Sequence, residues 1–198
     1  MPIPALPRRP VLAGLALLSL LAACVLPTGT SLTQQPVLAG AMTLAAPQGY
    51  CIQPGSRREN GDSALAILGR CAGQENVAPA VLTATFGAAG SAEGLQDGQA
   101  VLAAWFRSDR GRAALSDRGR ARDVTVDKAF GQGGALFLHV RDAGANAGVQ
   151  RESWRAVLPL RGRLVTLTVA GPADQPLAPA AGQALLERFV AALRRANP

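Results

Sequence analysis

This sequence contains one histidine, His139, and one lysine, Lys128, in 198 residues. A single imidazole cannot build the usual His-rich zinc site, and three cysteines with other uses cannot build a Cys-rich one. No Gly-x-Ser-x-Gly elbow is present, and a serine hydrolase drawing on His139 with Ser63 or Ser153 would need an orienting acid and oxyanion donors that the sequence does not place. Gly131-Gln132-Gly133-Gly134 lacks the Lys and Ser/Thr of a phosphate loop and stands between strand-like segments rather than before a helix. Asp123, Asp127 and Asp142 do not follow the alternating spacing of a calcium loop. The expectation is a chain with no catalytic residue, no metal and no cofactor, and not an enzyme.

Long apolar runs are also missing. The longest, Val11 to Leu21, is about half of the ~20 residues that a spanning helix requires. It follows Arg8 and Arg9 and ends in small residues, so residues 1–23 read as an export signal. Leu21-Ala22-Ala23-Cys24 resembles the lipobox of bacterial lipoproteins. That resemblance implies diacylglycerol on the Cys24 thiol, cleavage before Cys24, and a membrane attachment in which each buried methylene contributes about 0.8 kcal/mol. Val25, in place of the Asp associated with inner-membrane retention, favours the outer membrane, with the domain facing the periplasm. The competing reading is an ordinary cleaved signal that happens to contain a cysteine.

With Cys24 lipidated, Cys51 and Cys71 remain. In an oxidising compartment they pair as a structural disulfide or act as a redox couple, and the absence of a Cys-x-x-Cys spacing favours the bridge. Residues 24–40, with Pro27, Gly29, Thr30, Ser31, Gln34, Gln35 and Pro36, read as a lipid-anchored flexible tether. Residues 41–198 read as one globular domain of sufficient length for its own core.

Acids are outnumbered, 13 against 20 bases. Loss of Arg8 and Arg9 with the signal lowers the formal charge from +7 to +5. Six arginines, Arg107, Arg110, Arg112, Arg118, Arg120 and Arg122, fall in a short segment with only Asp109, Asp117 and Asp123 to balance them. Guanidinium groups suit carboxylate and phosphate partners, so this segment is an anion-binding candidate. The plainer alternative is a solvated face with local ion pairs. In the envelope the matching partners are anionic lipid or polysaccharide, and nucleic acid is not expected.

Ala41 to Ala46, a Pro47-Gln48-Gly49 turn, Tyr50-Cys51-Ile52, Ala64 to Cys71 and Ala80 to Phe86 read as strands by length and flanking Gly and Pro. A helix is expected after Asp97 as N-cap, with Val101, Leu102, Trp105 and Phe106 as its inward stripe. A second short helix capped by Ser108 turns Ala113, Ala114 and Leu115 inward. Two hairpins follow, Asp123 to Phe130 with Ala135 to Arg141, and Glu152 to Leu160 with Arg163 to Val169. Even positions 136–140 are apolar, which places His139 on the other face with Phe137 and Arg141 as a surface or sheet-covering residue. A last helix carries Leu185, Leu186, Phe189, Val190 and Leu193 on one side.

The fold class that follows is α+β, an antiparallel sheet packed by helices. This element order from Met42 to Arg195, with Pro47-Gln48-Gly49-Tyr50 and the pair Leu136-Phe137-Leu138 and Trp154-Arg155-Ala156, resembles the PsbP/Mog-like α/β/α sandwich of DcrB and LpqN lipoproteins. It is also similar to a group of alphaproteobacterial envelope lipoproteins. Fold does not set function. Two functions are carried forward: a non-catalytic lipoprotein, held to the membrane by its N-terminal lipid and docking an envelope protein partner in assembly or transport, and a binding module for an anionic envelope ligand.

Overall fold

A computed structural model describes residues 32–95 and 98–198. The signal, Cys24, the first part of the spacer and the cap assigned to Asp97 lie outside the described residues. The expected tether does not extend to Gly40. Strand β1 (Gln34–Val37) pairs antiparallel with β2 (Met42–Ala45), and Val37 and Leu38 are buried in the main core. Polar Gln34 and Gln35 and the proline at 36 disguise a strand that lies at an edge, where a missing N–H is tolerated. Its turn is costly, because Leu38, Ala39 and Gly40 all have positive φ and only the last is glycine. The burial of Leu38 and a 2.9 Å hydrogen bond from its N–H to Glu59 Oε1 offset that strain.

The chain continues through β3 (Tyr50–Ile52), β4 (Arg58–Asn60), β5 (Ser63–Arg70) and β6 (Val81–Phe86). Helices α1 (Gln99–Arg107) and α2 (Asp109–Leu115) follow, then β7 (Val124–Gln132), β8 (Ala135–Asp142), β9 (Glu152–Leu160), β10 (Arg163–Ala170) and α3 (Pro179–Arg195). The main sheet runs β3-β5-β6-β10-β9-β8-β7, with β4 beside β5. Each of its strand pairings is antiparallel. Both expected hairpins close through two-residue turns, Gly133-Gly134 and Arg161-Gly162, whose residues all have positive φ. That backbone matches the twist of the flanking strands. Cys51 and Cys71 form a disulfide with Cα atoms 5.0 Å apart, joining β3 to the end of β5.

Helix α3 covers one face of the sheet. Its five expected residues, Leu185, Leu186, Phe189, Val190 and Leu193, are all buried in the main core, where α3 packs on β9, β10 and β2. Asn197 closes the helix end: its Nδ2 donates to the carbonyls of Leu193 (2.8 Å) and Thr43 (2.7 Å), and its Oδ1 accepts from the Thr43 N–H. Helices α1 and α2 cover the other face over β7, β8 and part of β9, completing an α/β/α sandwich.

The stripe expected on α1 is corrected. Ala103 and Phe106 are buried and Leu102 is half-buried, while Val101 and Trp105 are exposed. Close packing sets this rotation, since a Cβ on Gly111 of α2 would collide with the backbone of Trp105 and Phe106. Of the three residues expected inward on α2, Leu115 is buried and Ala114 is exposed. Ser108 caps α2 as expected, its Oγ accepting from the Gly111 N–H at 3.3 Å.

Candidate functional site

The loop between β8 and β9, residues 143–151, rims two hollows. It is held by the Gln150 N–H on the Gly171 carbonyl (2.9 Å) and by the Leu177 N–H on Gln150 Oε1 (2.6 Å). The larger hollow, a cleft of about 760 Å³, has Arg118, Arg141, Arg151 and Glu152 among its polar walls and Val149, Pro176 and Leu177 among its apolar ones. Both volume and mixed lining fall in the range of ligand sites.

The six arginines of the candidate anion segment do not converge. Arg118 lines this cleft, whereas Arg107, Arg112 and Arg122 line a separate shallow hollow with Val124 and Val126. Arg112 is committed to Asp109 (2.7 Å) and Arg120 to Asp123 (2.7 Å), with Arg122 at 4.0 Å from the same Asp123. Arg107 and Arg110 are exposed on the α1–α2 corner. The segment is thus partly a solvated face with local ion pairs, and it contributes one arginine to the cleft.

His139 has the acids that the sequence did not place beside it. Asp127 Oδ2 lies 3.6 Å from its Nδ1 and Glu152 Oε2 3.9 Å from its Nε2, and the ring stacks on Trp154 at 4.8 Å. Arg141 bridges the same two carboxylates, at 3.1 Å and 3.5 Å. A β-bulge between Val126 and Lys128 brings Asp127 there, so that Asp127 and Lys128 both oppose His139; bulges commonly re-aim a side chain in this way. His139 is nearly fully buried rather than on the surface. Its neighbours are two carboxylates, a guanidinium and an indole, which makes the cluster a polar brace between β7, β8 and β9. Among the described residues no group of three or more His, Cys, Asp or Glu side chains is placed to hold a metal ion.

The second hollow, a groove of about 400 Å³, lies over the part of the sheet that α1 and α2 leave open. Its floor comes from alternate residues of three strands: Thr83 and Thr85 on β6, Thr166 and Thr168 on β10, and Arg155 on β9. Asp117, Asp142 and Arg151 stand in its walls. Arg155 Nε is buried without a hydrogen-bond partner, the one such side-chain atom among the described residues, while the residue as a whole is half-buried and lines the groove. Burial lowers the pKa of its guanidinium, and the charges of Asp117 and Asp142 act in the opposite sense. A guanidinium remains charged under such a shift.

These features define a class: an α+β sandwich domain with a loop-rimmed cleft and a hydroxyl-floored groove on one sheet face. No family model matches the chain, and no curated protein matches it. Among solved structures it is similar to cyanobacterial PsbP (CyanoP) from Synechocystis sp. PCC 6803, with a TM-score of 0.44 and 14% identity over 89% of this chain and 96% of that one.

Proposed function

We propose that this chain is an envelope lipoprotein of the DcrB/LpqN kind that works by docking a partner rather than by turnover. The observation that carries the reading is the position of Cys24, the last residue of the lipobox-like Leu21-Ala22-Ala23-Cys24, a short distance ahead of the folded domain. Fully extended, the segment from Cys24 to Leu32 reaches at most about 30 Å. With β1 folded, the domain is held closer to the membrane than a tether running to Gly40 would hold it. The cleft rimmed by residues 143–151 is the docking face, since it combines Arg118 and Arg151, which form no ion pair among the described residues, with apolar Val149 and Leu177. That mixture suits a protein partner in assembly or transport. The outer membrane, with the domain facing the periplasm, is the corresponding location.

A second reading, recognition of an anionic lipid or polysaccharide by the arginine segment, is favoured by Arg118 alone, because it shares the cleft with Arg151. A photo-crosslinking residue in place of Ala147, on the cleft rim, distinguishes the readings in intact cells. Docking predicts a protein adduct of defined mass that is lost in Cys24→Ser. Adducts with lipid or polysaccharide support the second reading. An adduct that forms equally well with Cys24→Ser contradicts the membrane-held mechanism.

A further inference from the structure

We propose that the groove over β6, β10 and β9 is a binding site for a short-chain monocarboxylate, with Arg155 receiving the carboxylate. This site shares the 143–151 rim and Arg151 with the docking cleft but has its own floor on β6, β10 and β9, and the inference does not depend on the docking reading. The pairing register builds it: Ile67 lies opposite Thr83, Thr83 opposite Thr168, and Thr168 opposite Arg155. One row across the sheet therefore passes from a partly exposed apolar side chain, over two hydroxyls, to a cation, a distance of about 15 Å at ordinary strand spacing.

The protein leaves that cation incomplete. Arg155 Nε has no hydrogen-bond partner, and among the described residues Arg155 forms no ion pair within 4.0 Å. The two nearby acids are engaged elsewhere. Asp142 accepts from the N–H groups of Gly144 (2.7 Å) and Asp117 (2.8 Å), and Asp117 accepts from the N–H of Asn146 (3.1 Å). An Nε–H buried without an acceptor is costly, and a carboxylate in the groove can accept from the rest of the half-buried guanidinium.

Charge selects the ligand class. Arg151 and Arg155 are balanced by Asp117 and Asp142 in the same groove, so a phosphate dianion meets about twice the repulsion from those acids that a monocarboxylate meets. Small apolar walls, Ala114 and Ala170, leave room for a short carbon chain over the threonine floor.

The test is an NMR titration of the full-length chain in detergent micelles, following the Arg155 Nε–H resonance with butyrate, lactate, neutral methyl butyrate and inorganic phosphate as probes. Butyrate and lactate should shift the resonance saturably, methyl butyrate should not, and phosphate should bind more weakly than either carboxylate. Threonine methyl signals report the same titration in variants. Arg155→Lys should weaken binding about tenfold or more, the effect of losing one charge-assisted hydrogen bond, and Arg155→Met should abolish it. Because no acceptor loses a partner, Arg155→Met should melt at or above the wild-type temperature. The proposal is overturned if neither carboxylate produces a saturable shift at millimolar concentration, or if phosphate binds more tightly. It is also overturned if Arg155→Met retains binding, or melts lower, as removal of a structural cation would require.

Discussion

Arg163 carries its charge inside the domain, with 7% of its surface exposed. Its guanidinium donates to the carbonyls of Asp62 and Gly87, each at 2.9 Å, and to Asp62 Oδ1 at 2.6 Å. The hydrogen bond from Arg163, followed by one from the Ala89 N–H, holds the Asp62 carboxyl below the usual carboxylate range. A lowered folded-state value means that the contribution is complete above the ordinary carboxylate pKa and is lost as pH falls through the folded-state value. Urea unfolding across the acid range should therefore show wild-type stability dropping with pH more steeply than that of Asp62→Asn, and identical slopes would contradict the assignment. Residue chemistry of this kind was poorly legible in the sequence. Asp62 and Arg163 lie far apart in the chain and meet because β5 and β10 both pair with β6. The acids around His139 were hidden for a similar reason: a bulge supplies Asp127, and the pairing of Arg141 with Glu152 supplies the other. Arg155 is marked in the sequence only as part of Trp154-Arg155-Ala156, and its groove lies where α1 and α2 leave that face of β6 and β10 open.

Elements were far more legible, wherever local chemistry and tertiary packing agree. Gly133-Gly134 and Arg161-Gly162 announce hairpins because their turns need left-handed backbone, and α3 shows an unbroken helical stripe that the sheet then buries. Reading failed where packing overrides hydrophobicity. On α1, Ala103 lies against the sheet while bulkier Val101 and Trp105 face out, because the close corner at Gly111 fixes the rotation of the helix. Strand β1 was missed because its residues are polar and include a proline, while the burial that secures it comes from Val37 and Leu38 at its end. The disulfide was legible from cysteine arithmetic, and β3 pairing with β5 at Cys51↔Gly69 explains its reach. Replacing both Cys51 and Cys71 with serine should lower unfolding free energy by about 3 kcal/mol, the chain-entropy value for a loop of this size. Denaturant titration checks it, and an unchanged midpoint would show that the β3–β5 pairing needs no staple.

At the scale of the whole molecule, arginine supplies most of a formal charge that is positive with or without residues 1–23, and the fold distributes those arginines by role. Arg112 and Arg120 are committed to neighbouring acids, Arg141 braces His139, Arg118 and Arg151 line the cleft, and Arg155 lies in the groove. The run from Arg107 to Arg122 was legible as a basic segment, but its division between hollows was not, since the turn from α2 into β7 separates residues that are neighbours in sequence. The proposed anchor of this domain is lipid on Cys24. Intact mass spectrometry of the protein extracted from isolated membranes should show a chain beginning at Cys24 that carries a diacylglycerol adduct. A soluble periplasmic chain with an unmodified Cys24 thiol would contradict it.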